Sequence, residues 1–155
     1  NKWIKDFTIK NDYKNTININ IVESIPIGIY FNGEDNLLFD KNGEVIDFLN
    51  SNYNLYFDLI IFEGNNSLFN ANIFLYLLPL TLRNEIKKAI YINNRRWDVK
   101  LRNGINIKLS EKNILDSFNN YDKFYKKVSN QELTEIEMID LRIPKQIILK
   151  FKAIK

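Results

Sequence analysis

Neither cysteine nor histidine occurs among the 155 residues of this chain. Their absence excludes disulfides, catalytic thiolates and metal sites built on nitrogen or sulfur ligands, together with most nucleophile–base pairs. A lack of cysteine by itself fits any cellular compartment. Glycine-rich phosphate loops are also missing. Any catalysis would therefore depend on paired carboxylates or on a Ser/Lys pair.

The carboxylates that could pair have simpler structural explanations. Asp40 and Glu44 flank a predicted turn, while Asp98 and Asp140 lie on the polar sides of predicted strands. The acidic and amide groups of residues 32–36 lack the spacing of a calcium loop. We therefore predict that the chain is not an enzyme and that it uses neither a metal nor a cofactor.

Long hydrophobic runs are missing as well. The longest run, residues 73–80, is far shorter than the roughly 20 residues of a membrane-spanning helix. The net charge is only +3, with a pI near 8.9, which permits an anionic neighbour without requiring one. Arg95, Arg96 and Trp97 combine basic and aromatic side chains as nucleic-acid contacts do. Because no basic stripe accompanies them, we expect no nucleic-acid partner.

The most strongly patterned stretch is residues 95–109. Apolar residues alternate with polar ones on both sides of an Asn-Gly pair: Trp97, Val99 and Leu101 before it, and Ile105, Ile107 and Leu109 after it. A two-residue loop would split these residues between the two faces of a hairpin. A three-residue loop at 102–104 puts them on one face and places Gly104 in the left-handed conformation that glycine adopts without steric cost. The pattern predicts a hairpin with one apolar and one charged face.

The rest of the chain predicts an α+β fold, in which helices pack on a mixed or antiparallel sheet. Further strands are predicted at residues 3–10, 16–21, 27–31, 37–39, 45–48, 55–62, 86–92, 136–143 and 146–152. Helices are predicted to begin at Ser67 and after Ser110, each capped by its serine, and residues 130–132 are predicted to form a loop. At the turn 40–43, the opposite charges of Lys41 and Glu44 favour a two-residue loop. In the pair formed by residues 3–10 and 16–21, alternation predicts one buried face.

The last predicted strand offers a different kind of site. Residues 146–152 are strongly strand-forming, and a final strand often lies at a sheet edge, where unpaired backbone groups accept a strand from a partner. The lysines at 145, 150 and 152 are equally typical of an edge guarded against aggregation. Both interpretations remain open on physical grounds.

Four motifs occur in an order that resembles the bacterial cell-division family FtsQ/DivIB. They are residues 15–27 (Asn-Thr-Ile to Glu-Ser-Ile-Pro-Ile), 38–43 (Leu-Phe-Asp-Lys-Asn-Gly), 95–109 and 139–144 (Ile-Asp-Leu-Arg-Ile-Pro). The resemblance implies that residues 1–24 are the last two strands of a POTRA domain and that residues 25–155 are a β domain. Without the rest of the POTRA domain, these two strands would leave Ile17, Ile19 and Ile21 exposed.

The same resemblance implies a function. Members are non-enzymatic scaffolds of the divisome, and they recruit FtsB/DivIC and FtsL during septum formation through strand addition at the last β-strand. They are single-pass inner-membrane proteins, so we expect this part in the periplasm at the division septum, anchored by a segment outside the chain. The predicted partner-binding residues are Ile143, Lys145, Gln146, Ile148, Lys150, Phe151 and Arg96. The alternatives are a POTRA-containing component of outer-membrane assembly or secretion, and an enzyme acting on envelope polymers.

Overall fold

A computed structural model describes residues 1–11, 13, 16–49 and 53–153. The strands are β1 (Ile4–Asn11), β2 (Ile17–Glu23), β3 (Gly28–Phe31), β4 (Asn36–Phe39), β5 (Val45–Phe48), β6 (Ile61–Glu63), β7 (Ile86–Ile92), β8 (Arg96–Leu101), β9 (Asn106–Lys108), β10 (Ile136–Asp140) and β11 (Ile148–Phe151). The helices are α1 (Ser67–Leu77), α2 (Leu80–Arg83), α3 (Ile114–Tyr125) and α4 (Asn130–Glu135), with a 3₁₀ turn at Tyr53–Tyr56. None of the described helices has the length and apolar character needed to cross a membrane.

The described strands form two sheets. β1 and β2 are a separate antiparallel pair, and the other nine form one sheet in the order β11-β10-β9-β8-β7-β6-β3-β4-β5. The neighbours β10 and β9, β3 and β6, and β6 and β7 run parallel, whereas the remaining neighbours are antiparallel. The predicted α+β class is confirmed. The edges of the large sheet are β5 and β11.

The main core lies between α1, α3 and one face of the large sheet. Phe62 of β6 is at its centre, and its ring meets those of Phe74 and Trp97 edge to face at centroid distances of 5.9 and 5.7 Å. Phe74 of α1 also contacts Phe118 of α3, which joins the two helices over the sheet. Alternate residues of β3, β4 and β6 form a smaller cluster around Ile29. Because successive side chains of a strand point to opposite faces, this second cluster lies on the other face of the sheet.

The predicted hairpin at residues 95–109 is confirmed, including its register. Val99 pairs with Ile107, and the amide of Leu101 donates to the carbonyl oxygen of Ile105 at 2.8 Å. Gly104 has φ +94°, as the three-residue loop requires. The hairpin places Trp97 and Val99 in the main core and forms strands β8 and β9.

The turn at residues 40–43 has a three-residue loop, so the predicted two-residue loop is wrong. The amide of Asp40 donates to the carbonyl oxygen of Glu44 at 3.0 Å, which places these two residues opposite each other. The buried Asp40 carboxylate accepts the amides of Asn42 at 2.8 Å and of Glu44 at 3.0 Å. These turn-stabilising hydrogen bonds outweigh an exposed attraction between Lys41 and Glu44, because surface ion pairs contribute little.

The predicted caps of the two long helices are also wrong. α1 follows Asn66, and Ser67 is its first helical residue. α3 follows Asn113, whose side chain accepts the amide of Asp116 at 3.2 Å. Ser110 lies before that cap and accepts the amide of Asn113 at 3.4 Å. Asparagine caps helices as well as serine does, which explains the start of α3, whereas Asn66 makes no side-chain capping hydrogen bond at the start of α1.

Three predicted strands are shorter by three or more residues in the structure. β6 comprises only the end of the predicted strand 55–62, because a turn closed by the amide of Leu59 and the carbonyl oxygen of Tyr56 precedes it. β10 ends at Asp140 because its carboxylate accepts the amide of Arg142 at 3.1 Å and turns the chain. β11 begins at Ile148, two residues later than predicted.

Residues 130–132 belong to helix α4, so the predicted loop is wrong there. Ser129 and Glu132 form a reciprocal capping box that starts the helix, a pattern that the sequence already contains. The two connections between predicted strands at residues 11–15 and 50–54 fall partly outside the described residues.

The β1–β2 pair exposes the face that alternation predicted to be buried. Phe7 pairs with Ile21 and Ile9 with Ile19, so their side chains share one face, yet Ile19 is 59% exposed. A two-stranded pair has no second layer to bury that face, and among the described residues nothing covers it. The expected exposure of Ile17, Ile19 and Ile21 is confirmed. The Trp3 indole N–H donates to the Asp47 carboxylate at 2.9 Å and so ties the pair to β5.

Candidate partner-binding edge

β11 forms one edge of the nine-stranded sheet. Among the described strands it pairs only with β10, placing Leu149 opposite Ile139 and Ile148 opposite Asp140. Leu149 packs against the main core, while the Lys150 ammonium contacts the Glu137 carboxylate at 2.7 Å. The strand is therefore anchored on its inner side, and its outer side faces no other described strand.

Backbone hydrogen bonds show which groups face outward. The amide of Lys152 donates to the carbonyl oxygen of Glu135, next to β10, at 2.8 Å. Backbone groups point alternately to the two sides along an antiparallel strand. The register shift between the two strands falls in β10, between Ile136 and Met138, so alternation along β11 is unbroken. The amides of Lys150 and Ile148 therefore also face β10. Those of Leu149 and Phe151 then face outward. The free edge presents the amides and carbonyls of these two residues.

A small apolar cavity lies beside the edge on the helix side of the sheet. Its volume is about 210 Å³, and its lining includes Phe124 and Val128 of the α3 region together with Leu149 and Phe151. Phe151 is 54% exposed. A strand added at β11 would place alternate side chains over this cavity, because side chains of neighbouring strands in register share a face.

Six of the seven predicted partner-binding residues lie on β11 or in the segment before it. Ile148, Lys150 and Phe151 lie on β11, and Ile143, Lys145 and Gln146 lie in the segment 141–147 that connects it to β10. All six are exposed. The amide of Gln146 donates to the carbonyl oxygen of Ile143 at 3.2 Å, closing a turn in this segment. The structure thus brings these six residues together along one end of the sheet.

Arg96 lies on β8, three strands from β11. Its guanidinium pairs with Asp98 at 3.1 Å, and it lines a cavity of about 420 Å³ together with Arg142 and Pro144 of the connecting segment. Arg96 is therefore close to the segment before β11 but is not part of the edge itself.

The second arginine of this cavity is held by a buried carboxylate. Arg142 donates to Asp140 at 2.6 Å, and the same carboxylate accepts the Arg142 amide. Hydrogen bonds from the Arg142 side chain are the largest influence on Asp140 and, with those from the Arg142 amide, hold its pKa below the usual value despite burial. This pair fixes the start of the connecting segment.

The Asp40 carboxylate also has structural partners. Asp40 accepts the backbone amides of its own turn, and the Lys5 ammonium lies 3.3 Å from it. Burial works to raise the pKa of Asp40, but these hydrogen bonds and Lys5 lower it. In the part of the chain that the structure describes, no group of three or more Asp, Glu, His or Cys residues is arranged to hold a metal.

Sequence reasoning missed the cavity residues Leu149, Phe124 and Val128. Leu149 is on the predicted strand, but only the packing of the α3 region beside β11 shows that its side chain borders an open cavity. Alternation along residues 146–152 could have separated Leu149 and Phe151 from Ile148 and Lys150. It could not have identified the helix that faces them.

These observations define an α+β domain whose candidate site is an unpaired strand edge with an adjoining apolar cavity. The family model described as cell division protein FtsQ/DivIB, C-terminal, matches residues 29–142. The chain therefore belongs to the FtsQ/DivIB family of cell-division proteins, as its motif order predicted.

Individual relatives agree with this assignment. Cell division protein FtsQ of Rhizobium radiobacter is 32% identical over 114 residues, which cover 72% of this chain and 53% of the relative. FtsQ of Agrobacterium fabrum is 32% identical over 114 residues, covering 72% of this chain and 35% of the relative. FtsQ of Rickettsia bellii is 30% identical over 148 residues, covering 90% of this chain and 53% of the relative.

The chain spans about half the length, or less, of these curated relatives. The matched family favours a role in cell division over the alternative of outer-membrane assembly or secretion. The names of the relatives state cell division and no catalytic activity.

Proposed function

We propose that this chain is the partner-binding part of a non-enzymatic divisome scaffold, which recruits proteins of the FtsB/DivIC and FtsL type by strand addition at β11. The observation that carries the proposal is the outer edge of β11, where two backbone amides and two carbonyls face away from the sheet. A partner strand would hydrogen-bond to these groups and extend the sheet beyond β11, the geometry of β-augmentation.

The side chains around the edge supply specificity for such a strand. Leu149 and Phe151 border the apolar cavity, so a partner residue with an aliphatic or aromatic side chain fits over it. On the other face, Lys150 already pairs with Glu137, whereas Lys145 lies exposed in the connecting segment. An acidic residue beside the partner strand would complement Lys145, which favours encounter and register more than affinity.

Arg96 is proposed as a secondary contact at the cavity that it shares with Arg142 and Pro144. A partner chain that continues past the beginning of β11 would run along the segment containing Ile143 and reach this cavity. The guanidinium groups of Arg96 and Arg142 already have acidic partners. We expect Arg96 to orient the partner rather than to contribute most of the binding free energy.

The remaining assignments are proposed from family membership. Residues 1–24 would be the last two strands of a POTRA domain, whose other elements would cover the apolar face of the β1–β2 pair. Residues 25–155 would form the β domain. This part of the protein would lie in the periplasm, at the inner membrane of the division septum.

The sharpest test removes one outward amide. Phe151→Pro eliminates the donor at position 151 without breaking a hydrogen bond to β10, and Phe151→Ala is the matched control that loses the ring but keeps the amide. We expect Phe151→Pro to bind a purified periplasmic segment of the FtsB/DivIC-type partner at least about ten-fold more weakly than Phe151→Ala, because a lost hydrogen bond and a steric clash together cost more than about 1.4 kcal/mol. Isothermal titration calorimetry measures both affinities.

A second control checks the assignment of inward and outward amides. Lys150→Pro removes a donor that faces β10, so it is expected to lower the free energy of unfolding, whereas Phe151→Pro should leave it close to that of Phe151→Ala. Circular dichroism with urea unfolding measures this difference. Equal partner affinity of Phe151→Pro and Phe151→Ala, with both variants folded, would overturn strand addition at β11.

A further inference from the structure

A third cavity, with a volume of about 430 Å³, lies between α2 and α3. Its lining includes Leu82 of α2, Glu85 just before β7, and Phe118, Tyr121 and Tyr125 of α3. Ligand pockets range from about 300 to 1,000 Å³, so this cavity suits a small group. Strand addition at β11 assigns it no role. We call it the α2–α3 cavity.

Tyr121 contributes a hydroxyl group to this cavity. Its side chain is almost completely buried, with 4% of the residue exposed. Among the described residues, only the Ser67 hydroxyl is both sealed from solvent and without a hydrogen-bond partner. The Tyr121 hydroxyl, which makes no hydrogen bond with another described residue, is therefore open to the cavity that its side chain lines. Because tyrosines buried to this extent normally have a hydrogen-bond partner, the cavity is where a ligand would supply one.

The surroundings of this hydroxyl carry negative charge. Burial is the main cause that raises the pKa of Tyr121, and the neighbouring Tyr125 and the Glu85 carboxylate raise it further. The hydroxyl therefore stays neutral at physiological pH, and its oxygen can accept a hydrogen bond. Within the described part of the chain, no cation lies at ion-pair distance from the Glu85 carboxylate. Glu85 thus leaves a negative charge uncompensated at the cavity.

The aromatic lining strengthens this preference for positive charge. The rings of Tyr121 and Tyr125 stack with their centroids 5.7 Å apart and their planes at 28°, and Tyr125 is 47% exposed. The faces of such rings attract cations. Among the described residues that line the cavity, the one cation is Lys126, whose ammonium lies 2.6 Å from the Asp122 carboxylate. Lys126 therefore offsets Asp122 and leaves the charge of Glu85 in place.

We propose that the α2–α3 cavity binds an organic cation, namely a guanidinium or primary ammonium group on a short apolar stem. The arginine or lysine side chain of a peptide has this chemistry, and so does a free alkylamine. The charged head contacts the Glu85 carboxylate and donates a hydrogen bond to the Tyr121 hydroxyl oxygen, while the stem packs on the apolar lining at Leu82 and Phe118. An anion would meet the like charge of Glu85, and a neutral apolar group would leave the hydroxyl unpartnered.

This site is separate from the partner-binding edge. Glu85 directly precedes β7, which is four strands from β11. With strands about 4.8 Å apart, the two sites are about 19 Å from each other across the sheet. A cation in the cavity leaves the outward amides of β11 free, so its binding does not depend on strand addition.

An NMR titration of the whole ¹⁵N-labelled chain tests the proposal. The probes are n-butylguanidinium and n-butylammonium, and the control is n-butylurea, a neutral molecule of nearly the same shape as n-butylguanidinium. We expect both cations to shift the amide resonances of Glu85, Tyr121 and Tyr125 saturably, with a dissociation constant on the order of one millimolar. The urea is expected to bind at least about ten-fold more weakly, because it lacks the charge that the rings and the carboxylate attract.

Matched variants separate the contributions of charge and hydroxyl. Glu85→Gln removes the uncompensated carboxylate, and Glu34→Gln removes an exposed carboxylate of the loop between β3 and β4. We expect Glu85→Gln to weaken n-butylguanidinium binding at least about five-fold, and Glu34→Gln to leave it unchanged. Tyr121→Phe keeps the ring and should weaken binding about three-fold through loss of the acceptor oxygen. Circular dichroism checks that each variant is folded.

Three outcomes overturn the proposal. They are the absence of saturable shifts at the cavity with either cation, equal binding of n-butylurea, and equal affinities of Glu85→Gln and Glu34→Gln. The peptide acetyl-Gly-Arg-Gly-amide distinguishes the two sources of the cation. Binding at least as tight as that of n-butylguanidinium supports the proposal with a peptide side chain as the ligand. Binding of the free cations without the peptide supports it with a free amine as the ligand.

Discussion

Gly64 and Gly104 offer a matched test of how backbone conformation and packing contribute to this fold. Both have positive φ angles, +99° and +94°, but their surroundings differ. An alanine methyl group at Gly104 would meet nothing within 4 Å, whereas one at Gly64 would overlap the carbonyl oxygen of Tyr91 and lie 3.2 Å from its carbonyl carbon. Gly64 follows β6 and Tyr91 belongs to β7, so relief of that overlap requires two paired strands to separate.

The two alanine variants should therefore differ in stability. Gly104→Ala is expected to lower the free energy of unfolding by about 1–2 kcal/mol, the cost of a left-handed conformation for a residue with a Cβ atom. Gly64→Ala adds an overpacking cost of about 1–3 kcal/mol, since the obstacle is backbone and not a flexible side chain. Urea unfolding followed by circular dichroism measures both values.

Equal losses in the two variants would refute the reasoning, because the conformations match and only the contact with Tyr91 separates them. A negligible loss for Gly104→Ala would contradict the left-handed loop itself. If Gly64→Ala fails to fold, its expression and soluble yield are compared with those of Gly104→Ala, which is expected to remain folded.

Two further predictions concern buried polar groups. Asp140→Asn is expected to lower the free energy of unfolding by about 1–2 kcal/mol at pH 7, through loss of charge-assisted hydrogen bonds with Arg142. The folded-state pKa of Asp140 lies below its unfolded value. The stability advantage of the wild type should therefore persist above about pH 4 and shrink as the pH falls below that value. Thermal unfolding at several pH values measures the difference, and a pH-independent gap would contradict the assigned ion pair. Ser67→Ala should leave the free energy of unfolding unchanged or raise it by up to about 1 kcal/mol. The reason is that the Ser67 hydroxyl is buried without a hydrogen-bond partner among the described residues, and burial of such a group is costly. A clear loss of stability in urea unfolding would show that the hydroxyl has a hydrogen-bond partner.

Local patterns predicted the elements whose determinants lie within a few residues. The strand Ile86–Ile92 has the predicted bounds, and the register between Val99 and Ile107 followed from parity on both sides of the Asn-Gly pair. In these cases the hydrophobic period and the turn residues agree, and tertiary packing reinforces them.

Predictions were wrong where two local solutions compete. At the turn after Asp40, a two-residue loop would pair the charges of Lys41 and Glu44, whereas a three-residue loop lets the Asp40 carboxylate accept backbone amides. The hydrogen bonds of the buried carboxylate decided for the three-residue loop. The start of α3 offered Ser110 and Asn113 as caps of similar strength, and Asn113 is the cap. The capping box of Ser129 and Glu132 was present in the sequence and was overlooked.

The candidate site depends on both levels. Strand character at residues 148–151, the lysines around them and the family motifs are properties of the sequence alone. The edge position of β11, the outward direction of the Leu149 and Phe151 amides and the cavity beside Phe124 were decided only by the tertiary structure.

By itself, the sequence determined the α+β class, the apolar and polar faces of the central hairpin and membership in the FtsQ/DivIB family, because these depend on residue type and short-range period. Only the tertiary structure decided which faces and edges remain uncovered. The β1–β2 pair is apolar enough to be predicted as core, and so is the outer face of α1 at Phe69, Ile73 and Tyr76, yet both lie exposed. Burial depends on what packs against a surface, and a period along the chain specifies the surface without specifying its neighbour.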